Sequence, residues 1–338
     1  MSAFWFLIAA LFSSLFLTWV LRRYALAKAI IDIPNARSSH SVPTPRGGGV
    51  AIVISFLGLL AIIGLTEFAD RNLIIALLGA GISVALLGFL DDHGHVAAGW
   101  RLLGHLVSSA WVLFWLDSLP RIEVFGFSFE LNFLGYFLFT LYLTWLLNLY
   151  NFMDGIDGIA SVEAITVCLS GAFLYFCLDH PALAVVPLLL ASSVAGFLFW
   201  NFPPAKIFMG DAGSGFLGIV LATLSLQAGL IHPPLLWSWI ILLGVFIVDA
   251  TTTLLHRLIR GEKIYEAHRS HAYQFASRQY KAHKPVTLIV GLINCLWLLP
   301  WAYFVAIGKV DGISATFFAY IPLAILAFKF KAGSKETQ

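Results

Sequence analysis

Charged side chains are scarce in this chain of 338 residues. Asp, Glu, Lys and Arg make up 11% of the sequence, against about 25% in soluble domains. Apolar residues reach 60%, with 29 Phe and 11 Trp, which is more apolar surface than a water-soluble fold of this size can bury. The composition therefore excludes a pair of soluble domains and predicts an integral membrane protein with many spans.

Excess charge and cysteine are also lacking. A net charge of +2 over this length excludes a nucleic-acid partner. The three cysteines, Cys168, Cys177 and Cys295, lie inside apolar runs without metal-ligand spacing, so we interpret them as packing residues. The first apolar stretch lacks a preceding basic segment, and we expect it to be retained as a span rather than removed as a signal peptide.

Eleven apolar stretches approach the length of about 20 residues that a membrane-spanning helix needs. They lie at 3–21, 48–66, 72–90, 101–117, 132–149, 159–178, 182–199, 213–231, 235–255, 286–306 and 312–328. Segment 121–131 alternates apolar and polar residues, which predicts a short β-hairpin outside the membrane. We expect an all-α, polytopic membrane protein of about 11 transmembrane helices, forming a single domain over 1–338.

The basic residues indicate the orientation, because Lys and Arg collect in cytoplasmic loops. Of the 20 basic residues, 17 fall on the side of the odd-numbered loops and the C-terminus. This predicts a periplasmic N-terminus, a periplasmic hairpin and a cytoplasmic C-terminus. The polar residues suited to chemistry crowd the same side, in loops 22–47, 91–100, 148–158, 200–214 and 256–285. We therefore predict an active site at the cytoplasmic face.

Two groups of oxygen ligands stand out in these loops. Asp91 and Asp92 end the third span, where acids near the bilayer need a metal, a partner or water. A solvated acid pair is the alternative. The second group consists of Asn148, Asn151, Asp154 and Asp157, spaced by three residues with glycines between them. Such oxygens suit Mg²⁺, ribose or phosphate groups; a Ca²⁺ loop is an alternative without EF-hand spacing, and so is a polar turn.

Three further segments are candidates for binding anions. The stretch from Asn201 to Gly215 opens the eighth span with Gly and Ser, as at phosphate-binding helix starts. Lys206 could add a positive charge there and Asp211 could hold a metal, although small residues also serve helix packing. The basic loop carries His268, Arg269 and His271, which could grasp a diphosphate or only mark the cytoplasmic side. Arg46 precedes a glycine run and could contact phosphate.

Taken in order, these motifs resemble the polyprenyl-phosphate N-acetylhexosamine-1-phosphate transferases, which form glycosyltransferase family 4. The resemblance extends over loops from residue 35 to residue 275. The chain differs from phospho-N-acetylmuramoyl-pentapeptide transferase, which has a Lys where His95 stands and three His where His268-Arg269-Ser270-His271 stands. It is more similar to the undecaprenyl-phosphate sugar-phosphate transferases that initiate O-antigen synthesis.

The resemblance implies a reaction and a set of roles. A UDP-N-acetyl sugar would pass its sugar 1-phosphate to undecaprenyl phosphate at the bacterial inner membrane and release UMP. The implied cofactor is Mg²⁺, with Mn²⁺ as a substitute, and relatives allow a homodimer. Asp211 would be the first metal ligand and Asp91 the second, with Asp91, Asp92 and Asp211 catalytic. The implied substrate-binding residues are Arg46, Asn148, Asn151, Asp154, Asp157, Asn201, Lys206, His268, Arg269 and His271.

Several alternatives stay open. The lipid phosphate could attack in a single displacement, which we prefer, or an aspartyl-phosphate could form first. Peptidoglycan synthesis through a muramoyl-pentapeptide substrate is the alternative function. A transporter of lipid-linked glycans would require ionisable residues near the bilayer midplane, whereas we expect only Asp249 to sit inside a span, near its cytoplasmic end. A non-catalytic scaffold would not explain the acids, and the sugar itself stays undetermined.

Overall fold

The computed structural model describes residues 3–34, 42–66, 68–94, 96–262 and 269–334. His95 and His268 lie outside these residues. The elements are α1 (Ala3–Ala27), β1 (Ile31–Asp32), β2 (Thr44–Pro45), α2 (Val50–Ile63), α3 (Arg71–His93), α4 (Ala98–Leu116), β3 (Ile122–Val124), β4 (Phe127–Phe129), α5 (Asn132–Met153), α6 (Ile159–Cys177), α7 (Val185–Asn201), α8 (Asp211–Ile231), α9 (Pro234–Leu242), α10 (Gly244–Ile259), α11 (Ala272–Tyr280), α12 (His283–Ile293), α13 (Leu299–Ala306) and α14 (Gly312–Lys329). A 3₁₀ turn precedes α7, and a π-helical turn joins α12 to α13.

A multi-pass architecture is confirmed, whereas the count of eleven spans and the orientation are not. Within the described ranges, eight helical stretches are long and apolar enough to cross a membrane. A ninth results if α9 and α10, bent by 70° to each other, form one span. The predicted continuous span 235–255 is thus broken. At the break a Cβ on Gly244 would lie 2.7 Å from the Tyr320 ring, a close approach that uniform hydropathy does not reveal.

Helix α8 is the centre of the bundle, and all its residues from Ala212 to Gly229 are buried. Its glycines bring it into contact with neighbouring backbones, as small residues do between membrane helices. A Cβ on Gly218 would lie 2.7 Å from the Cα of Leu147 in α5. On the α3 side, a Cβ on Gly88 would lie 2.5 Å from the Asp211 carbonyl oxygen. The start of α8 is therefore held directly against the end of α3.

The predicted β-hairpin is confirmed as β3 and β4, which pair antiparallel with Ile122 opposite Phe129. Its two turn residues, Phe125 and Gly126, both have positive φ, the backbone form that matches the twist of tight hairpins. A second, unpredicted ribbon joins β1 to β2 inside loop 22–47. That ribbon carries the chain toward Arg46.

Candidate active site

Asp92 is built into the start of α8. Its carboxylate accepts hydrogen bonds from the backbone N–H groups of Asp211 and Ala212, at 3.1 and 3.3 Å, and its side chain is 4% exposed. A carboxylate at this position satisfies unpaired helix donors and interacts favourably with the helix dipole. Gly210 has φ of 81°, and a Cβ there would lie 2.7 Å from Asp92. Glycine is therefore required before Asp211.

Arg46 joins two of the predicted catalytic acids. Its Nη2 atom lies 2.7 Å from Asp92 Oδ1 and 2.8 Å from Asp211 Oδ1. The following chain is aligned by the N–H of Gly49, which donates to the Met209 carbonyl at 2.9 Å. A Cβ on Gly49 would lie 2.5 Å from the Cα of Gly213. The glycine run that the sequence placed before α2 thus allows Arg46 to reach the carboxylates.

Asp91 is engaged on the other side of the cluster. It accepts a hydrogen bond from the Val96 N–H at 3.0 Å and forms an ion pair with Arg101 Nη1. Arg101 also lies 4.0 Å from Asp211. Two arginines therefore flank Asp211, which is 22% exposed against 9% for Asp91. Asp211 is the most accessible of the three predicted catalytic acids.

Asp154 is a fourth acid close to this cluster, and it differs from the other three in its hydrogen bonding. It follows the last residue of α5, and its carboxylate accepts no hydrogen bond from the described residues. Burial raises its pKa to about 7, and the charges of Asp211, Asp92 and Asp157 act in the same direction, while Arg46 opposes them. A carboxylate that repels its neighbours and has no hydrogen-bond donor among the described residues is suited to binding a cation.

The other members of the predicted polar stripe hold loops together. Asp157 lies 3.1 Å from His283 Nδ1 and accepts the Ala205 N–H at 3.0 Å. Asn201 accepts the Gly158 N–H at 3.0 Å and donates to the Ile207 carbonyl at 3.0 Å. The stripe divides because α5 ends at Met153 and the backbone turns before α6. These contacts show positioning within the loops.

Within the described residues, the side chains of Asn148, Asn151 and Lys206 form no hydrogen bond or ion pair with the acids of the cluster. Asn148 donates to the Thr144 carbonyl at 2.7 Å, within α5, and Asn151 is half-buried one turn later. The Lys206 ammonium lies 5.8 and 5.4 Å from the ring centroids of Phe199 and Trp200. No ion pair joins Lys206 to a carboxylate in the described part of the chain.

His271 is held by Asp249, an acid that repeats the Asp92 arrangement. Asp249 accepts the N–H groups of Ala272 and Tyr273, each at 2.9 Å, and lies 3.3 Å from His271 Nδ1. The Tyr273 hydroxyl donates to the Phe152 carbonyl at 3.0 Å. Arg269 precedes this element, and its carbonyl accepts from Arg278. The basic loop is thereby attached to the end of α5.

The described residues hold no preformed group of three metal-ligating His, Cys, Asp or Glu side chains. The assignment of Asp211 and Asp91 as metal ligands stays a prediction. Asp91 already accepts hydrogen bonds on both carboxylate oxygens, whereas Asp154 accepts none from any residue that the structure describes. The donor chemistry is nevertheless that of a hard cation, since the acids of the cluster offer carboxylate oxygens, the ligands that such cations prefer.

Comparison with known proteins identifies the family. The family model of glycosyl transferase family 4 matches residues 74–229. The chain is 30% identical over 299 residues to a Bacillus subtilis protein named "probable undecaprenyl-phosphate N-acetylglucosaminyl 1-phosphate transferase", covering 86% of this chain and 81% of the relative.

The chain belongs to glycosyl transferase family 4.

Other family members show the same extent of similarity. The undecaprenyl-phosphate alpha-N-acetylglucosaminyl 1-phosphate transferase of Thermotoga maritima is 29% identical, covering 86% of this chain and 89% of the relative. The phospho-N-acetylmuramoyl-pentapeptide-transferase of Lactobacillus johnsonii is also 29% identical, over 76% of this chain and 85% of the relative. The resemblance stated from the motifs is confirmed at the level of the family.

Three residues of this family member were missed by the sequence reasoning. Arg101 carried a signal, since it is a cation ten residues after Asp91 at the start of a span. Asp249 was noticed without its role as a helix cap. Glu163 was overlooked: it is fully buried in α6, where Asn294 Nδ2 donates to it at 2.7 Å. The expectation that Asp249 alone stands out within the spans was therefore wrong.

Proposed function

We propose that this protein transfers an N-acetylhexosamine 1-phosphate from a UDP-sugar to undecaprenyl phosphate and releases UMP. The named relatives support a polyprenyl-phosphate sugar-1-phosphate transferase. The observation that carries the proposal is the cluster at the start of α8, where two arginines and four acids meet at the end of a membrane bundle. We place this end at the cytoplasmic face of the inner membrane, on the distribution of basic residues.

The arginines are the groups that would bind the diphosphate. Arg46 and Arg101 are 38% and 34% exposed, and each uses Nη atoms on carboxylates while other N–H donors remain. A guanidinium carries five donors and matches phosphate oxygens well. The two side chains flank Asp211, so an anion bound by both would lie next to the most exposed acid.

We further propose Mg²⁺ as the cofactor, with Mn²⁺ as a substitute. Asp211 would hold the ion, and Asp154 would be its second carboxylate ligand, since a cation there would offset its repulsion with Asp211, Asp92 and Asp157. Asp91 fits less well because its oxygens are already occupied. When bound, Mg²⁺ would neutralise the diphosphate and the charge that develops on the leaving UMP.

A single displacement fits the geometry better than an aspartyl-phosphate intermediate. Asp92 is almost fully buried and uses both oxygens on α8 and Arg46, so neither oxygen is available to attack phosphorus. The lipid phosphate needs little activation, because its second pKa is near 6 and it is mostly dianionic at pH 7. Asp92 would then position Arg46 and the start of α8. Capture of a covalent aspartyl adduct would overturn this assignment.

Initiation of O-antigen or a related glycan is the pathway we propose. The similarity to a phospho-N-acetylmuramoyl-pentapeptide-transferase keeps peptidoglycan synthesis as a second candidate. Purified protein, undecaprenyl phosphate and a panel of UDP-N-acetyl sugars, including the muramoyl-pentapeptide donor, would separate them. UMP release with the muramoyl donor alone would reject the first candidate.

Asp211→Asn tests the site itself. We expect UMP release to fall at least roughly a hundredfold, since a metal's charge stabilisation is worth several kcal/mol, while the protein remains folded. Asp117→Asn is the matched control, because Asp117 is an exposed acid with positive φ that Asn tolerates. Turnover near the wild-type rate in Asp211→Asn would reject the assignment.

A further inference from the structure

A group of cations and aromatic rings at the ends of α1 and α7 lies apart from the carboxylate cluster. We call it the α1–α7 patch and define it by Trp19, Arg22, Arg23, Phe199, Trp200 and Lys206. Arg22 and Lys206 approach the same indole, with the Arg22 guanidinium carbon 5.9 Å and Lys206 Nζ 5.4 Å from the Trp200 centroid. Arg23 lies 4.4 Å from the Trp19 centroid. Each of these three cations thus lies over an indole, and two of them share the same one.

The fold brings these residues together through a close helix contact. A Cβ on Gly196 would lie 2.3 Å from the Leu11 carbonyl oxygen, so α7 touches the backbone of α1. The Trp200 indole N–H donates to the Leu15 carbonyl at 3.1 Å. The chain after α7 then turns back, and the Lys206 N–H donates to the Trp200 carbonyl at 2.8 Å. The packing of α7 against α1 therefore holds the residues of the patch in place.

The described residues provide no carboxylate partner for the cations of the patch. Across the ranges that the structure describes, no carboxylate forms an ion pair with Arg22, Arg23 or Lys206. Arg22 Nε donates to the Lys206 carbonyl at 3.2 Å, which leaves its Nη hydrogens for another acceptor. Like charges held near one ring repel each other unless an anion lies between them. The arrangement thus has donors and charge for a phosphate oxygen.

The aromatic side chains around the cations are those expected at a bilayer surface. Phe199 is 64% exposed, and Phe16, whose ring lies 5.7 Å from Trp19, is 60% exposed. Exposed Phe on a membrane helix faces acyl chains, while Trp and basic side chains favour the headgroup level. Basic pockets between transmembrane helices on the cytoplasmic side bind anionic headgroups. We propose that the α1–α7 patch is a binding site for the headgroup of an anionic phospholipid.

This site is independent of the transferase reaction, so either proposal can fail alone. The charge pattern distinguishes it from the general excess of basic residues on one side of the membrane. Lys329, for example, lies over a single ring, that of Phe330, at 5.8 Å, without a second cation. Lys329 and Lys331 are exposed at the end of α14 and provide a matched pair of charges.

The test compares two double variants of the full-length protein in detergent. Native mass spectrometry would measure retention of phosphatidylglycerol and of phosphatidylcholine. We expect wild type to prefer phosphatidylglycerol and Arg22→Gln/Lys206→Gln to bind it roughly thirty-fold more weakly, which corresponds to about fivefold for each of the two charges. Lys329→Gln/Lys331→Gln removes equal charge and should change binding little. Arg22→Lys keeps the charge and should keep the lipid.

Three results would overturn the proposal. Equal retention by the two double variants would show a diffuse charge effect, and equal binding of phosphatidylcholine would show that no anion is recognised. Displacement of phosphatidylglycerol by soluble glycerol phosphate would assign the patch to free phosphate. Loss of lipid in Arg22→Lys, with the protein still monodisperse, would assign a packing role to the guanidinium in place of an anion site.

Discussion

Asp154→Asn separates the electrostatic role of this residue from a packing role. Asp154 follows the last residue of α5, where it faces Asp211, Asp92 and Asp157 and accepts no hydrogen bond from the described residues. Asparagine has nearly the same shape and cannot ionise. The substitution therefore removes the repulsion within the cluster and leaves the packing almost unchanged.

The sign of the effect follows from the direction of the pKa shift. Burial and the neighbouring acids raise the Asp154 pKa from 3.8 to about 7, so the folded state holds the proton more tightly than the unfolded chain. Its contribution to stability is present below about pH 4 and is lost as the pH rises through about 7. At 1.36 kcal/mol per pKa unit, the loss is at most about 4 kcal/mol.

Thermal unfolding of the detergent-purified protein measures this directly. At pH 8, without divalent cations, we expect Asp154→Asn to melt several degrees above wild type; near pH 4.5 the two should nearly coincide. Mg²⁺ should raise the wild-type melting temperature at pH 8, because binding to the folded state stabilises it, and should have much less effect on the variant. UMP release by the variant should fall at every pH.

The neighbouring acid provides the control for this prediction. Asp157→Asn should lower the melting temperature at pH 8, because Asp157 pairs with His283 and accepts the Ala205 N–H. A destabilised Asp154→Asn at pH 8 would refute the repulsion on which the argument rests. Equal stabilisation of both proteins by Mg²⁺ would refute Asp154 as a ligand.

Two further substitutions test how the site is assembled. Asp249→Asn removes one of the two acceptor oxygens and the negative charge at the start of α11, a charge worth about 0.3–1 kcal/mol, and loosens the hold on His271. Protease cleavage around the basic loop should therefore speed up and UMP release should fall; unchanged cleavage would contradict the contact. Gly49→Ala forces a Cβ to within 2.5 Å of the Gly213 Cα and should reduce both activity and melting temperature. Gly58→Ala, inside α2 with open space around it, should leave both intact, and equal effects of the two substitutions would argue against the close contact.

Part of the candidate site could be predicted from local sequence patterns, because its acids lie at the ends of helices. Asp91 and Asp92 end α3, Asp211 begins α8 and Asp154 follows α5, and each was singled out by polarity beside an apolar run. Periodicity could not divide the stripe from Asn148 to Asp157 into residues that face the cluster and residues that hold loops. That division depends on where α5 stops and how the backbone turns toward α6.

Contacts between distant segments were beyond any local pattern. Arg46 and Asp211 are 165 positions apart, and they meet because glycines let α2, α3 and α8 approach closely. Lys206 stays a predicted substrate-binding residue, and only the structure shows that its ammonium lies over Phe199 and Trp200. The bend between α9 and α10 was likewise hidden, since both halves are apolar.

The sequence by itself determined the membrane class, the hairpin, the family and the acids that gather at helix ends. These features could be recognised because charged residues are scarce, and an ionisable residue near a bilayer is costly unless it has a partner or a function. Only the tertiary structure decided which carboxylate oxygens are already occupied. Asp92 and Asp249 are used as helix caps and Asp91 is paired, while Asp211 and Asp154 keep capacity for a ligand, because packing determines which donors reach each acid.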